Sequence, residues 1–153
     1  MHGGRQFKAD FSKNLYSGKN MTLDTLKEGK TVRCSGACHC GKVRISVNVP
    51  VVAKVHQCNC SICRKSGYLH LIIETKDMEI LSGKGELSEY RFNTGVARHL
   101  FCRNCGIKTF YVPRSHPHGY SVNLNCVELE PDIEIILERF DGQHWEQNIS
   151  GLE

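Results

Sequence analysis

The sequence predicts a mostly β domain built from short, mainly antiparallel strands. From Cys34 onward, short runs of β-branched and aromatic residues follow one another, and several alternate apolar and polar side chains with a period of two. Glycine, proline and asparagine residues form turn signals between these runs, as at residues 82–85, 93–95 and 113–119. Many short strands with few helical patterns are typical of several small antiparallel sheets.

The strand candidates can be placed in chain order. Residues 43–49 alternate apolar and polar side chains, and Pro50 ends this run. The later strand candidates are residues 68–74, 78–81, 87–92, 96–101, 107–112, 120–124 and 133–140.

The two ends of the chain differ from this β region. Residues 1–33 are mixed and polar, and we interpret them as an N-terminal arm in which residues 21–30 form a short helix. Residues around Trp145 predict a second short helix near the C-terminus. No boundary in composition divides the remainder, so we expect a single domain over residues 34–153.

The composition is that of an ordinary globular protein. Of the 153 residues, 40% are hydrophobic and 24% are charged, which is enough apolar surface to offset the entropy lost on folding. No apolar run reaches the roughly 18–20 residues that cross a bilayer, and residues 1–5 lack the apolar stretch of a secretory signal. We therefore expect a protein of the cytoplasm or nucleus that has no membrane partner.

Cysteine is unusually frequent, with nine residues in the chain. An odd number of cysteines without a secretory signal argues against a disulfide framework, and clustered cysteines in a reducing compartment are more often metal ligands or catalytic thiols. Three clusters hold seven of the nine: residues 38–41 (Cys-His-Cys-Gly), 58–63 (Cys-Asn-Cys-Ser-Ile-Cys) and 102–106 (Cys-Arg-Asn-Cys-Gly).

The first and third clusters predict a structural zinc site. Cys102 and Cys105 are separated by two residues and followed by a glycine, which is the pattern of a zinc knuckle whose turn needs a left-handed backbone. A closed zinc site needs four ligands, and Cys38 and Cys40 are the best second pair because a glycine also follows them. Such a site contributes on the order of 10 kcal/mol to folding.

The middle cluster places three thiols, those of Cys58, Cys60 and Cys63, within six residues. Three protein ligands and one exchangeable position are typical of a catalytic zinc. The spacing agrees equally well with a second closed site, whose fourth ligand would be Cys34, Cys126 or His56. A redox centre at Cys60 and Cys63 would lack the βαβ context of thioredoxin-like motifs. An iron–sulfur cluster also fits the spacing, although glycines after the other cysteine pairs favour zinc.

The charge balance bears on nucleic-acid binding. The formal net charge is +4 when the thiols are counted as neutral. Two zinc ions would add four positive charges and seven thiolates would remove seven, so the metal-loaded protein would carry about +1. Because such a protein has no excess of positive charge for a phosphate backbone, nucleic acid is not an expected partner.

The three cysteine clusters and their surroundings resemble the glutathione-dependent formaldehyde-activating enzyme family. The likeness covers roughly residues 33–145, and the residues that carry it are 36–44, 58–63 and 101–106. Within the family, the chain is most similar to the centromere protein V branch. This closer likeness rests on residues 92–94, His99, residues 110–117 and residues 125–128.

The resemblance implies a β-tent fold, in which several small antiparallel sheets surround two zinc ions. The implied ligands are Cys38, Cys40, Cys102 and Cys105 for a structural zinc, and Cys58, Cys60 and Cys63 for a catalytic zinc with one exchangeable position. The implied activity is that of a carbon–sulfur lyase, which makes or breaks the bond between glutathione and formaldehyde in S-(hydroxymethyl)glutathione. The alternative is a zinc-stabilised binding module of the centromere protein V type, without catalytic turnover.

Three basic residues are candidates for substrate binding. Three thiolates would leave the catalytic zinc site with a net charge of −1, so an anionic thiol such as glutathione needs cations nearby. Arg64 and Lys65 directly follow the last ligand, and Arg114 lies in a proline-containing loop at residues 113–117. We expect these three side chains to bind the carboxylates of the thiol.

Overall fold

The computed structural model describes residues 29–152, so the helix expected at residues 21–30 lies almost wholly outside the described part of the chain. Eleven strands and two short α-helices cover the described residues. The strands are β1 Thr31–Ala37, β2 Arg44–Pro50, β3 Val52–Cys58, β4 Leu69–Glu74, β5 Met78–Ser82, β6 Leu87–Tyr90, β7 His99–Cys102, β8 Phe110–Tyr111, β9 Gly119–Asn123, β10 Val127–Glu128 and β11 Glu134–Phe140. The helices are α1 Ser61–Ser66 and α2 Trp145–Asn148.

The strands form three small sheets. A four-stranded sheet has the order β10-β1-β2-β5, a five-stranded sheet has the order β11-β3-β4-β9-β8, and β6 pairs with β7. This arrangement confirms the predicted fold class of several small sheets with few, short helices, including the helix at Trp145. One strand pair departs from the antiparallel expectation, because β11 runs parallel to β3.

A single hydrophobic core joins the two larger sheets. The alternation predicted for residues 43–49 is confirmed, because Val43, Ile45, Val47 and Val49 are all fully buried. They belong to the same core cluster as Ala53 and Val55 of β3 and as Leu71 and Val122, of β4 and β9. Burying a side chain of this size contributes roughly 1.5–3 kcal/mol, so the core holds the two sheets together.

Strands β1, β3 and β10 were not among the sequence candidates. Strand β1 begins at Thr31, three residues before the expected domain boundary, and pairs along its whole length with β2. Strand β3 follows β2 after the single residue Val51, and its sequence, VAKVHQC, lacks the strict alternation that marked β2. Strand β10 has only two residues, which is too short for a periodic pattern to show.

The two neighbours of β3 in its sheet determine which residues surround the site described below. Its last residue, Cys58, is in register with Phe140 at the end of β11. On the other side of β3, His56 is in register with His70 of β4. These pairings bring residues that are distant in sequence to the end of β3, where α1 begins. No helix among residues 29–152 is long and apolar enough to span a bilayer.

Candidate metal centres and cavity

The structure brings the first and third cysteine clusters together. The sulfur atoms of Cys38, Cys40, Cys102 and Cys105 all lie within 4.8 Å of one another. The Cys40 sulfur is 3.6 Å from that of Cys38 and 3.7 Å from that of Cys102. Four sulfurs about 2.3 Å from a tetrahedral zinc ion lie roughly 3.8 Å apart, so the cluster fits zinc without rearrangement.

Each half of this four-cysteine cluster is a tight backbone turn. Gly41 and Gly106 follow the second cysteine of each pair and have φ angles of 76° and 75°, which a side chain would disfavour. The Gly41 N–H donates to the Cys38 carbonyl, and the Gly106 N–H donates to the Cys102 carbonyl. Both turns therefore hold their sulfur atoms in place before the two halves meet.

Hydrogen bonds around the four-cysteine cluster favour a thiolate at Cys40. The backbone N–H of Val43 donates to the Cys38 sulfur at 3.3 Å. Hydrogen bonds from the Lys42 backbone and the Asn104 side chain lower the pKa of Cys40 to about 6. Cys38 and Cys102 are buried, Cys105 is half-buried and Cys40 is exposed, so the site lies at the edge of the core.

The middle cluster is compact as well. The sulfur atoms of Cys58, Cys60 and Cys63 lie within 4.8 Å of one another. Cys58 ends β3, Cys60 is the N-cap residue of α1, and Cys63 lies within α1. Helix α1 then ends at Gly67, which has a left-handed φ of 60°. The short helix was not predicted, and it is what allows three cysteines within six residues to face one point.

Among residues 29–152, no histidine, carboxylate or further cysteine joins this three-cysteine cluster. Of the three fourth-ligand candidates, Cys34 is buried in the hydrophobic core, and the Cys126 thiol lies 3.9 Å from the Lys108 carbonyl oxygen. The His56 ring pairs with Glu138 at 3.6 Å. The donor set is therefore three sulfurs, which suits a zinc ion that keeps one position for a small ligand.

The three-cysteine cluster borders a cavity of about 160 Å³. Its lining is largely aromatic and aliphatic, with three histidines and one arginine among the polar members. The lining residues other than the three cysteines are His56, Ile62, His70, Ile72, Phe92, Asn93, Thr94, Ala97, His99, Tyr111, Arg114, Phe140, Gly142, Trp145 and Leu152. A concave, mostly apolar site with a few polar groups is the usual form of a small-molecule site.

The C-terminal segment, residues 140–152, covers part of the three-cysteine cluster. Asn59, between two of the ligands, donates to the Asp141 carboxylate at 2.8 Å and accepts from the Gln143 N–H at 3.0 Å. A Cβ atom on Gly142 would lie 2.3 Å from the Cys58 sulfur. Glycine is therefore the one residue that fits at position 142 without displacing the cluster.

His70 lines the cavity with a buried ring that has one unpaired nitrogen. The ring is 5% exposed, and its Nδ1 lies 3.0 Å from the Ser121 hydroxyl and 3.3 Å from the Tyr111 hydroxyl. Its Nε2 is buried and has no hydrogen-bond partner within the described residues. Burial lowers the pKa of His70 to about 4, so the ring is neutral at pH 7.

A second buried histidine, His99, is also neutral. The Lys108 ammonium donates to its Nδ1 at 3.1 Å and lies 5.2 Å and 5.1 Å from the ring centroids of Tyr68 and Tyr111. Burial, and then the charge of Lys108, lower the pKa of His99 to about 4. The ring stacks on Tyr111 with centroids 4.8 Å apart, which extends the aromatic wall of the cavity.

The three expected substrate-binding residues lie in different places. Arg114 lines the cavity, where its guanidinium stacks 3.8 Å from the Trp145 ring centroid and pairs with Glu146. Arg64 lines a separate groove that also contacts the three-cysteine cluster. Lys65 is exposed in the last turn of α1 and lines neither space.

The sequence did not single out His70 or Gly142. Both are single residues without a local motif, and only the pairing of β3 with β4 and β11 brings them to the site. Asn59 carried a weak signal, since it lies between two predicted ligands.

Comparison with known proteins agrees with this geometry. Residues 33–140 match the sequence model of a family described as glutathione-dependent formaldehyde-activating enzyme, and this range contains both cysteine clusters. The chain belongs to this family. A protein of Halomonas elongata, which carries the provisional name of a glutathione-dependent formaldehyde-activating enzyme, is 28% identical over 116 residues. The match covers 67% of this chain and 74% of that protein.

The fold also has a relative among solved structures. A crystal structure of a Rhodobacter sphaeroides protein is similar with a TM-score of 0.58 and 35% sequence identity. The likeness covers 67% of this chain and 99% of that chain. The shared part is therefore a whole structure in the relative and about two thirds of the chain studied here.

Proposed function

We propose that the chain is a zinc-dependent enzyme of the carbon–sulfur lyase type, resembling S-(hydroxymethyl)glutathione synthase, which acts on the adduct of glutathione and an aldehyde. The observation that carries this proposal is a three-sulfur donor set, without a fourth protein ligand in the described residues, at the wall of a cavity. Family membership supports it, because the family is described by glutathione and formaldehyde activation.

The residues that would hold the catalytic zinc are Cys58, Cys60 and Cys63. A zinc ion held there would act as a Lewis acid and keep a bound thiol in its thiolate form. In the reaction, the thiol sulfur forms a bond to the aldehyde carbon, and the electron pair of the carbonyl π bond moves to oxygen. The proton released by the thiol ends on that oxygen, so no oxidant or further reactant is needed.

His70 is the residue best placed to bind the oxygen of the adduct. If its Nδ1 accepts the Ser121 hydroxyl proton, its Nε2 carries the other ring hydrogen and donates it. A neutral N–H donor beside a developing negative charge on oxygen lowers the barrier without having to lose its proton.

The cavity also limits which groups can approach the sulfur. Arg114 is the one charged side chain among its lining residues, and Glu146 already pairs with it. Aromatic and aliphatic side chains form most of the remaining wall. The adduct oxygen and its small substituent therefore suit this space better than the charged ends of glutathione do.

The proposal is tested by following exchange between formaldehyde, glutathione and their adduct by NMR, with and without the zinc-loaded protein. We expect the protein to accelerate exchange, Cys60→Ser to abolish the acceleration, and His70→Leu to reduce it about 10²-fold or more. Cys126→Ser is the matched control, because this cysteine lies outside both clusters. A zinc-loaded protein that binds no thiol and accelerates nothing would favour the binding module of the centromere protein V type.

A further inference from the structure

A second groove adjoins the three-cysteine cluster. It has a volume of about 520 Å³ and shares Cys58, Cys63 and Phe140 with the cavity described above. Besides Gly67 and Tyr68, its lining includes five polar or charged side chains, those of Gln57, Asn59, Arg64, Arg139 and Asp141. The three-cysteine cluster therefore lies where a mostly apolar cavity and a polar groove meet.

The two arginines of this groove differ from the other arginines that the structure describes. Six of the eight arginines between residues 29 and 152 donate to carboxylates or backbone carbonyls: Arg33, Arg44, Arg91, Arg98, Arg103 and Arg114. Arg64 and Arg139 have no hydrogen bond or ion pair with any described residue. Both unpaired guanidinium groups thus belong to the same groove.

The fold places each of these arginines beside the cluster. Arg64 directly follows Cys63 in α1. Arg139 precedes Phe140, and the parallel pairing of β11 with β3 sets it in register with Gln57, next to Cys58. Two arginines from distant parts of the chain therefore line the same groove as Cys58 and Cys63.

The acidic residue of the groove is already bound. Asp141 accepts from the Asn59 amide at 2.8 Å and pairs with the His144 ring at 2.8 Å. Its charge is therefore directed at the C-terminal segment and not at either arginine. Among the described residues, nothing pairs with the two positive groups of the groove, and each guanidinium can bind a carboxylate through charge-assisted hydrogen bonds.

We infer that this groove is the subsite for the carboxylate-bearing part of the thiol substrate, with Arg64 and Arg139 as its anion-binding residues. The inference rests on the proposed function, because it places the thiol sulfur at the three-cysteine cluster. The peptide part of a thiol such as glutathione then lies in the groove, and the aldehyde-derived carbon and oxygen lie in the cavity beside His70. Of the three basic residues that the sequence suggested for substrate binding, Arg64 lines this groove, and Arg139 is added to it.

Titration calorimetry on the zinc-loaded protein with two thiols tests this inference. Glutathione carries carboxylates, whereas 2-mercaptoethanol offers the same thiol group without them. We expect Arg64→Ala and Arg139→Ala each to weaken glutathione binding about tenfold or more and to leave 2-mercaptoethanol binding unchanged. Lys84→Ala, which removes the same charge from a residue outside both spaces, should change neither affinity.

The outcomes separate the inference from the proposed function. If both thiols bind the wild type and Arg139→Ala leaves glutathione affinity unchanged, the groove assignment is wrong and the proposed function stands. If neither thiol binds the zinc-loaded wild type, both are overturned. Glutathione diethyl ester gives a second readout on the unmodified chain, and we expect it to bind about tenfold or more weakly than glutathione.

Discussion

The two cysteine clusters of this protein contain the same kind of side chain, but they differ in how far apart their cysteines lie in the chain. The four-cysteine cluster joins Cys40 to Cys102, which are 62 positions apart in the chain, and each half is a rigid turn with a left-handed glycine. The three-cysteine cluster takes its ligands from residues 58–63, where a strand passes into a short helix. The first cluster crosslinks the fold, while the second is a local feature placed at a cavity.

The clusters also differ in their number of sulfur atoms and in what surrounds them. The four-cysteine cluster completes a tetrahedral donor set by itself, which is typical of a structural zinc. The three-cysteine cluster is completed by no described residue, and a cavity, a polar groove and the C-terminal segment all meet at it. We therefore propose that the four-cysteine cluster stabilises the fold and that the three-cysteine cluster can exchange a ligand.

The largest expected effect concerns stability. Cys102→Ser removes a ligand that ties distant strands together, so we expect it to lower the free energy of unfolding by several kcal/mol or to leave the protein unfolded. Cys63→Ser acts within one short segment, so most of the fold should persist. Thermal unfolding followed by circular dichroism compares the two variants, with Cys126→Ser as the control. Equal losses of stability would contradict the division between the clusters.

A medium effect is expected at Gly142, where the C-terminal segment crosses the three-cysteine cluster. A methyl group there would collide with the Cys58 sulfur, so Gly142→Ala should cost roughly 1–3 kcal/mol and reduce zinc occupancy from about two equivalents towards one. Gly151→Ala is the matched control, because a Cβ atom at position 151 meets nothing within 4 Å. Elemental analysis and urea unfolding measure both quantities. Unchanged zinc content in Gly142→Ala would show that the segment does not constrain the cluster.

The smallest effect is a pH dependence from the buried histidines of the cavity. The pKa of His99 is lowered to about 4 in the fold, whereas an unfolded histidine has a pKa of about 6.5. The unfolded state therefore binds a proton first as the pH falls, and stability present at pH 7 is lost between about pH 6.5 and 4. Between pH 7 and 5.5, His99 should account for about 1 kcal/mol of this loss.

The check for His99 is urea unfolding of the wild type and of His99→Gln at both pH values. Glutamine does not titrate, so the variant should lose about 1 kcal/mol less than the wild type on acidification. Loss of zinc at low pH acts equally on both proteins and cancels in the comparison. Identical pH dependence in the two proteins would mean that His99 is not held neutral.

The cysteine clusters that could hold metal ions were predictable from the sequence because much of their pattern is local. Cys102 and Cys105 with the following glycine describe one turn, and Cys58, Cys60 and Cys63 lie within six residues. Such spacing restricts where the sulfur atoms can point, whatever the rest of the chain does. The strand at residues 43–49 could be predicted for the same reason, because a strand with one buried face alternates its side chains with a period of two.

The remaining features depend on contacts between distant residues. Arg139 and Gly142 reach the three-cysteine cluster only because β11 pairs in parallel with β3, and His70 reaches the cavity only because β4 pairs with β3 on its other side. Strand β3 itself was not predicted, because its sequence, VAKVHQC, does not alternate apolar and polar residues regularly. The sequence around such a residue does not indicate which strand will lie beside it in the fold.

An exchangeable position at the three-cysteine cluster is tested most directly by titrating the cobalt(II)-substituted protein with glutathione and recording its visible absorption. Cobalt reports the number of thiolate ligands through its charge-transfer bands, and it binds the same kinds of site as zinc. We expect one further thiolate to bind per chain, and this change to be absent in Cys60→Ser, whose four-cysteine cluster is intact. A spectrum that does not respond to glutathione in the fully loaded wild type would show that the three-cysteine cluster has no exchangeable position, and would contradict the account.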